Sequence, residues 1–162
     1  MLASLLGLSH PQYNPHITEI LRGTFMIVLC EFNDNKEVPE LIEKYGYMPE
    51  SILHITKGKE YHVYGMISGV IGRSELPSLE YIIRDDLDSI FHYNAMLFKI
   101  VDSKLANVEW HFSFGKNGRH FILGYDDFVN DCEHYNNALL EDEPDCSVLS
   151  QWCDSIDNLE KM

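Results

Sequence analysis

The stretch Trp110–Leu140, WHFSFGKNGRHFILGYDDFVNDCEHYNNALL, carries the clearest structural signals in the chain. Its first five residues, WHFSF, alternate between apolar and polar, and the Asn117-Gly118 pair that follows favours a tight β-hairpin turn. From Tyr125 onward, apolar residues recur at every third or fourth position, which is the period of a helix that is buried on one side. Antiparallel strands followed by helices predict an α+β fold.

Runs of β-branched and aromatic residues predict strands elsewhere in the chain. Gly65 lies inside one such run and suggests a bulge or sharp bend, as small barrels use. We therefore expect a strongly curved antiparallel sheet or a small β-barrel, with one helix in the N-terminal half and further helices at the C-terminus. The expected strands are 24–32, 53–67, 79–84, 90–101 and 110–123, and the expected helices are 37–45, 126–140 and 146–157. Alternation places six residues in the core: Tyr61, Val63, Phe98, Ile100, Trp110 and Phe112.

Length and composition predict one domain with an ordinary core. The 162 residues are 45% hydrophobic and 12% aromatic, and no long linker divides them, so we expect residues 1–162 to form a single domain. Residues 1–25 are a candidate N-terminal extension before Met26. No apolar run reaches the roughly 18 residues of a membrane span, and the N-terminus has no basic residue before Leu5. We therefore expect a cytoplasmic protein.

Charge is the strongest compositional signal. Twelve basic residues against 26 acidic ones give a net charge of −14. Residues 124–162 contain eleven acids and a single base, Lys161, so they carry −10 of this charge. Such a surface repels nucleic-acid phosphates and anionic membranes, so we expect neither as a direct partner. It attracts a basic protein, although solubility alone is a second explanation for the charge.

The sequence lacks the common catalytic and cofactor motifs. It contains no G-x-G-x-x-G, no Walker loop, no H-E-x-x-H and no G-x-S-x-G. Its four cysteines, Cys30, Cys132, Cys146 and Cys153, form no C-x-x-C pair and are expected to be free, buried thiols. We therefore predict no catalytic residues, no cofactor and no metal.

The histidines offer a weaker alternative. His62, His92, His111 and His120 fall in predicted strands, and a pair of them with Lys99 or Lys116 is the pattern of a histidine-dependent hydrolase. An acidic chain repels a nucleic-acid substrate, so we expect these histidines to be ordinary surface or rim residues.

Several phrases, taken in order, carry a family resemblance. They are CEFNDNKEVPELIEKYGY, LHITKGKEYHVYGMI, EYIIRDD, AMLFKIVDSKL and ILGYDDFVNDCEHYNNALLEDEP, within residues 26–144. Together they resemble small bacterial immunity proteins of contact-dependent-inhibition and polymorphic toxin systems. Tyr93-Asn94-Ala95 departs from the pattern, which has an aromatic-Pro pair at this point.

The resemblance implies a protein that is not an enzyme. Such a protein binds one cognate toxin domain, often a nuclease, and neutralises it in the cytoplasm. Most nuclease toxins present basic surface, which a chain of −14 complements. A general protein-interaction module of the same fold is the alternative. The residues expected to face the partner are acidic: Asp85, Asp86, Asp88, Asp126, Asp127, Glu133, Glu141, Asp142 and Glu143.

Overall fold

The computed structural model describes residues 26–70, 76–106, 108–114, 121–140 and 142–160. The strands in these residues are β1 (Met26–Cys30), β2 (Glu60–His62), β3 (Gly65–Val70), β4 (Pro77–Arg84), β5 (Ile90–Asn94), β6 (Phe98–Ser103), β7 (His111–Phe114) and β8 (Phe121–Gly124). The helices are α1 (Pro39–Glu43), α2 (Asp126–Asn130), α3 (Cys132–Leu139) and α4 (Asp145–Glu160).

The strands form two antiparallel sheets. The first has the order β2-β1-β6 and the second has the order β5-β4-β3-β8-β7. The α+β class is therefore confirmed. The two sheets are not closed into a barrel, and the strong curvature expected from the sequence is not confirmed.

The chain passes from the first sheet to the second at Gly65. The amide of Val63 donates to the Met26 carbonyl in the first sheet, and the amide of Tyr64 donates to the Ile82 carbonyl in the second. A Cβ atom at Gly65 would lie 2.9 Å from the carbonyl oxygen of Leu123, so only glycine fits without a shift. The strand expected over 53–67 is therefore wrong as one element, and becomes β2 and β3.

A second crossing divides the strand expected over 90–101. β5 ends at Asn94, whose side-chain oxygen accepts from the Met96 amide at 2.9 Å and caps a 3-10 helix, Ala95–Leu97. β6 then begins in the other sheet. The Asn94 cap therefore interrupts the strand that the apolar pattern predicts as continuous.

The helices follow the predicted ranges with two differences. In place of one helix over 37–45, the chain has a 3-10 turn, Asn35–Glu37, followed by the shorter α1. The range 126–140 is split because Asp131 is extended and its carboxylate accepts from the Glu133 and His134 amides, which starts a new helix. α4 covers the expected 146–157. No described helix is long and apolar enough to cross a membrane.

The second sheet is buried on both faces at β3 and β4. One face contributes Tyr81 and Ile83 to a core shared with the first sheet and α1. The other face contributes Ile67 and Ile82 to a core shared with the helices, of which Phe128 is the largest buried member. This second core positions the acidic C-terminal helices on one side of the sheet.

The predicted core is confirmed in part. Tyr61, Val63 and Phe98 are buried, and Trp110 is half-buried against Trp152.

Two core predictions are wrong: Phe112 is 65% exposed and Ile100 is 48% exposed. Both lie on edge strands, where no described element covers them, and on β7 the exposed residues are Phe112 and Phe114. Cys30 and Cys153 are buried as expected, whereas Cys132 is exposed and Cys146 is half-buried.

Candidate functional site

A cavity of about 500 Å³ is lined by four consecutive residues of β5, Phe91–Asn94. The rest of its wall comes from the turn 85–89, from the segment 47–54 and from Glu80 of β4, Asn35 and Leu97. β5 is an edge strand of the second sheet, so the cavity lies at the opposite edge from β7. Its size is within the range of about 300–1,000 Å³ that is typical of ligand sites.

Glu80 is a buried carboxylate in the wall of this cavity, with only 1% exposure. The hydroxyl of Tyr47 donates to its Oε1, and Nδ1 of His92 bonds with its Oε2. Such partners are required because an unpaired charge away from water costs several kcal/mol. Burial and the charge of Glu80 raise the pKa of Tyr47 far above its ordinary value, so Tyr47 remains a neutral donor.

His92 is one of the histidines considered for hydrolase chemistry. Its ring stacks on Phe91 with 4.4 Å between centroids, and Glu80 fixes its Nδ1. A hydrolase of the nucleophilic type also needs a hydroxyl or thiol hydrogen-bonded to the base. No described Ser, Thr or Cys makes that bond with His92. Among the described residues, Glu80 and His92 therefore form a polar pair in the cavity wall.

Two further polar groups line the cavity. Asp85 is 7% exposed, and its carboxylate accepts from the Tyr93 hydroxyl at 2.8 Å. Asn35 is 1% exposed and donates through Nδ2 to the Met48 carbonyl at 2.9 Å. The buried Oδ1 of Asn35 has no hydrogen-bond partner within the described residues. A buried acceptor without a donor is rare, and it points to a missing donor.

The acidic turn expected to face a partner is bonded largely within the chain. Asp85 is buried and also accepts from the amides of Leu87 and Ser89, so its carboxylate presents little surface to a partner. Asp86 bonds to Lys59 and to the Thr56 hydroxyl. Burial raises the pKa of Asp86, but these bonds outweigh it and hold the pKa below its usual value. Asp88 is exposed and lies 3.6 Å from Arg84.

The acids of the C-terminal segment lie on the surface. Asp126, Asp127 and Glu133 are exposed in the first turns of α2 and α3, where carboxylates also favour the helix N-terminus. Asp142 and Glu143 are exposed as well, and Glu141 lies outside the described residues. The described residues 121–140 and 142–160 contain no Lys or Arg.

β7 carries an exposed aromatic pair. Phe112 and Phe114 are 65% and 66% exposed, and their ring centroids are 5.7 Å apart. β7 is the edge strand of the second sheet, and no described strand pairs with its outer side. At its start, His111 lies 3.3 Å from Asp126 and 3.5 Å from Glu109. The sequence pattern predicted a buried Phe112, so it missed this surface.

Two other histidines connect elements of the fold. Nδ1 of His62 lies 2.9 Å from Asp157 of α4, and Nδ1 of His134 lies 2.8 Å from Asp145. Hydrogen bonds from Asn137 and then from His134 hold the pKa of Asp145 below its usual value. His120 and Lys116 lie outside the described residues.

Among the described residues, no group of three or more His, Cys, Asp or Glu side chains is arranged to hold a metal ion. No protein-family profile, curated protein or solved structure matches this chain. The resemblance to immunity proteins therefore depends on the sequence phrases alone.

Proposed function

We propose that this chain is an immunity protein that binds a basic toxin domain, expected to be a nuclease, and neutralises it in the cytoplasm. The contact area, which we name the β7 surface, consists of Phe112 and Phe114 on β7, of Glu109 and Asp126, which lie beside His111 at the start of that strand, and of Asp127. Binding there would block the active site of the toxin or a surface beside it.

The exposed aromatic pair is the observation that carries the proposal. Two phenylalanines at 65% and 66% exposure on an edge strand leave a large apolar area in water. Apolar patches with a polar rim are typical of protein interfaces, and aromatic side chains often supply most of the binding energy. Covering each ring would contribute roughly 1.5–3 kcal/mol.

Charge supports a basic partner. Asp126 is 65% exposed and Glu109 is 88% exposed at their side chains, and both lie beside His111 at one end of β7. α2, which starts with Asp126 and Asp127, contacts β7. With a net charge of −14, the chain would attract a positively charged domain over a long range and speed its encounter.

Co-expression tests the proposal. Where a gene for a large secreted protein adjoins that of the chain, the C-terminal domain of that protein is produced with the chain in a bacterial host, and growth and affinity are measured. We expect the wild type to restore growth, and Phe112→Ala with Phe114→Ala to weaken binding about 30-fold or more. Met48→Ala is the matched control, because Met48 is 67% exposed and is not part of the β7 surface.

Two results would contradict the proposal. If the wild type neither binds nor protects, the chain is not the immunity protein of that toxin. If it binds a basic protein that has no toxic activity, the alternative of a general interaction module is correct.

A further inference from the structure

We infer that the cavity beside β5 binds an organic cation, namely an ammonium or guanidinium group on an apolar stem. The cavity lies at the opposite edge of the second sheet from β7, so this inference does not depend on the β7 surface.

The charge of the cavity wall favours a cation. Two carboxylates, Glu80 and Asp85, line it, and no Lys or Arg is among its lining residues. Both carboxylates are more than nine-tenths buried. Charges interact more strongly in such surroundings than in water, so a cation in the cavity gains more than it would at an exposed acid.

One buried acceptor of the wall lacks a donor within the described residues. The Oδ1 of Asn35 is buried without a partner within the described residues, and Asn35 lines the cavity. The Tyr47 hydroxyl is already bonded, because it donates to Glu80 and accepts from Nδ2 of Asn94 at 3.2 Å, so the Oδ1 of Asn35 is the acceptor that lacks a donor. Ammonium and guanidinium groups have three and five N–H donors and no acceptor, so they match a wall rich in acceptors.

The remainder of the wall suits an apolar stem. Phe91 and Tyr93 contribute aromatic rings, and Leu53 and Leu97 contribute aliphatic surface. Aromatic faces also attract cations at close range. A ligand with a charged head and a short hydrocarbon chain would therefore satisfy both parts of the cavity.

The test is a titration of the purified chain with butylguanidinium, in which binding is measured by NMR chemical shifts and by calorimetry. Butanol and butyrate are the neutral and anionic controls of similar length. We expect a Kd of about 0.1–1 mM for butylguanidinium and at least tenfold weaker binding of both controls. Glu80→Gln should weaken butylguanidinium binding at least tenfold. A cooperative urea-unfolding transition of this variant checks that it is folded.

A second test changes the charge at an exposed position beside the cavity. It gives an answer even if the Glu80 variant is unstable. Leu87 lines the cavity and is 63% exposed, so Leu87→Glu should strengthen binding and Leu87→Lys should weaken it, each about three- to fivefold. Val101→Lys, at a residue that is 51% exposed on β6, is the control for overall charge and should change binding less than either.

The inference would be overturned if butanol or butyrate bound as tightly as butylguanidinium, or if both Leu87 variants matched the wild type. The source of the cation is a separate comparison. Binding of a blocked Gly-Arg-Gly peptide as tight as that of butylguanidinium would identify a protein side chain as the ligand. Binding of the small cation alone would identify a free amine or guanidine.

Discussion

Replacing Glu80 by alanine tests the polar network beneath the cavity. Glu80 is 1% exposed and accepts hydrogen bonds from Tyr47 and His92. The alanine variant removes both carboxylate oxygens at once and leaves the Tyr47 hydroxyl proton and the His92 Nδ1 without their bond to Glu80, although Tyr47 still accepts from Asn94.

The structure sets the size of the effect. A hydrogen bond to a charged group contributes about 1.5–3 kcal/mol, and breaking a buried charged network by removing one member costs about 3–5 kcal/mol. We expect Glu80→Ala to lower the free energy of unfolding by this larger amount. Glu80→Gln keeps an acceptor for Tyr47 and should lose only about 1–2 kcal/mol.

Urea unfolding followed by the fluorescence of Trp110 and Trp152 measures both variants. The midpoint should fall while the denaturant slope stays constant, because the area exposed on unfolding is similar. Glu60→Ala is the control, since Glu60 is exposed on β2 and should change stability by less than about 0.5 kcal/mol. A Glu80→Ala variant within about 1 kcal/mol of the wild type would refute the proposed network.

Three further predictions concern stability. Trp110→Ala should lower the free energy of unfolding in urea by about 2–3 kcal/mol. This is less than the loss for a fully buried tryptophan, because Trp110 is half-buried against Trp152. A loss under about 1 kcal/mol would show that Trp110 is exposed. The lowered pKa of Asp145 stabilises the fold above the ordinary Asp pKa, and this stability is lost as pH falls through the folded pKa. The free energy of unfolding of Asp145→Asn should therefore depend less on pH than that of the wild type as pH falls below the ordinary Asp pKa, and equal slopes would contradict this expectation. Gly65→Ala should lower the free energy of unfolding by about 1–3 kcal/mol, because the new Cβ would lie 2.9 Å from the Leu123 carbonyl oxygen; an unchanged midpoint would argue against the close approach.

Apolar periodicity was enough to predict the fold class and most element positions. The hairpin strands around Asn117-Gly118 pair as expected, with Phe112 opposite Leu123, and α4 covers its predicted range. The predicted element boundaries were wrong at Asn94 and Asp131. There a side-chain carboxamide or carboxylate accepts from backbone amides, which ends one element and starts the next. Periodicity reports which face a residue occupies and contains no information on such caps.

The candidate sites were harder to predict because they depend on contacts distant in sequence. Tyr47, Glu80 and His92 meet only after folding, although a lone acid within the apolar strand LEYIIR was an available signal of a buried charge. Phe112 was expected in the core because alternation cannot tell whether a second layer covers its face. The exposed acids of α2 and α3, in contrast, followed directly from composition.

The most direct test of the proposed function is the association rate with the toxin domain. Asp126, Asp127, Glu133 and Glu141 are changed together to lysine, and rates are measured at low and high ionic strength by stopped flow. We expect the variant to associate at least about tenfold more slowly than the wild type at low salt, with a smaller change in dissociation. The difference should shrink as salt rises. An association rate equal to that of the wild type at low salt would contradict electrostatic steering of the toxin domain by these four acids.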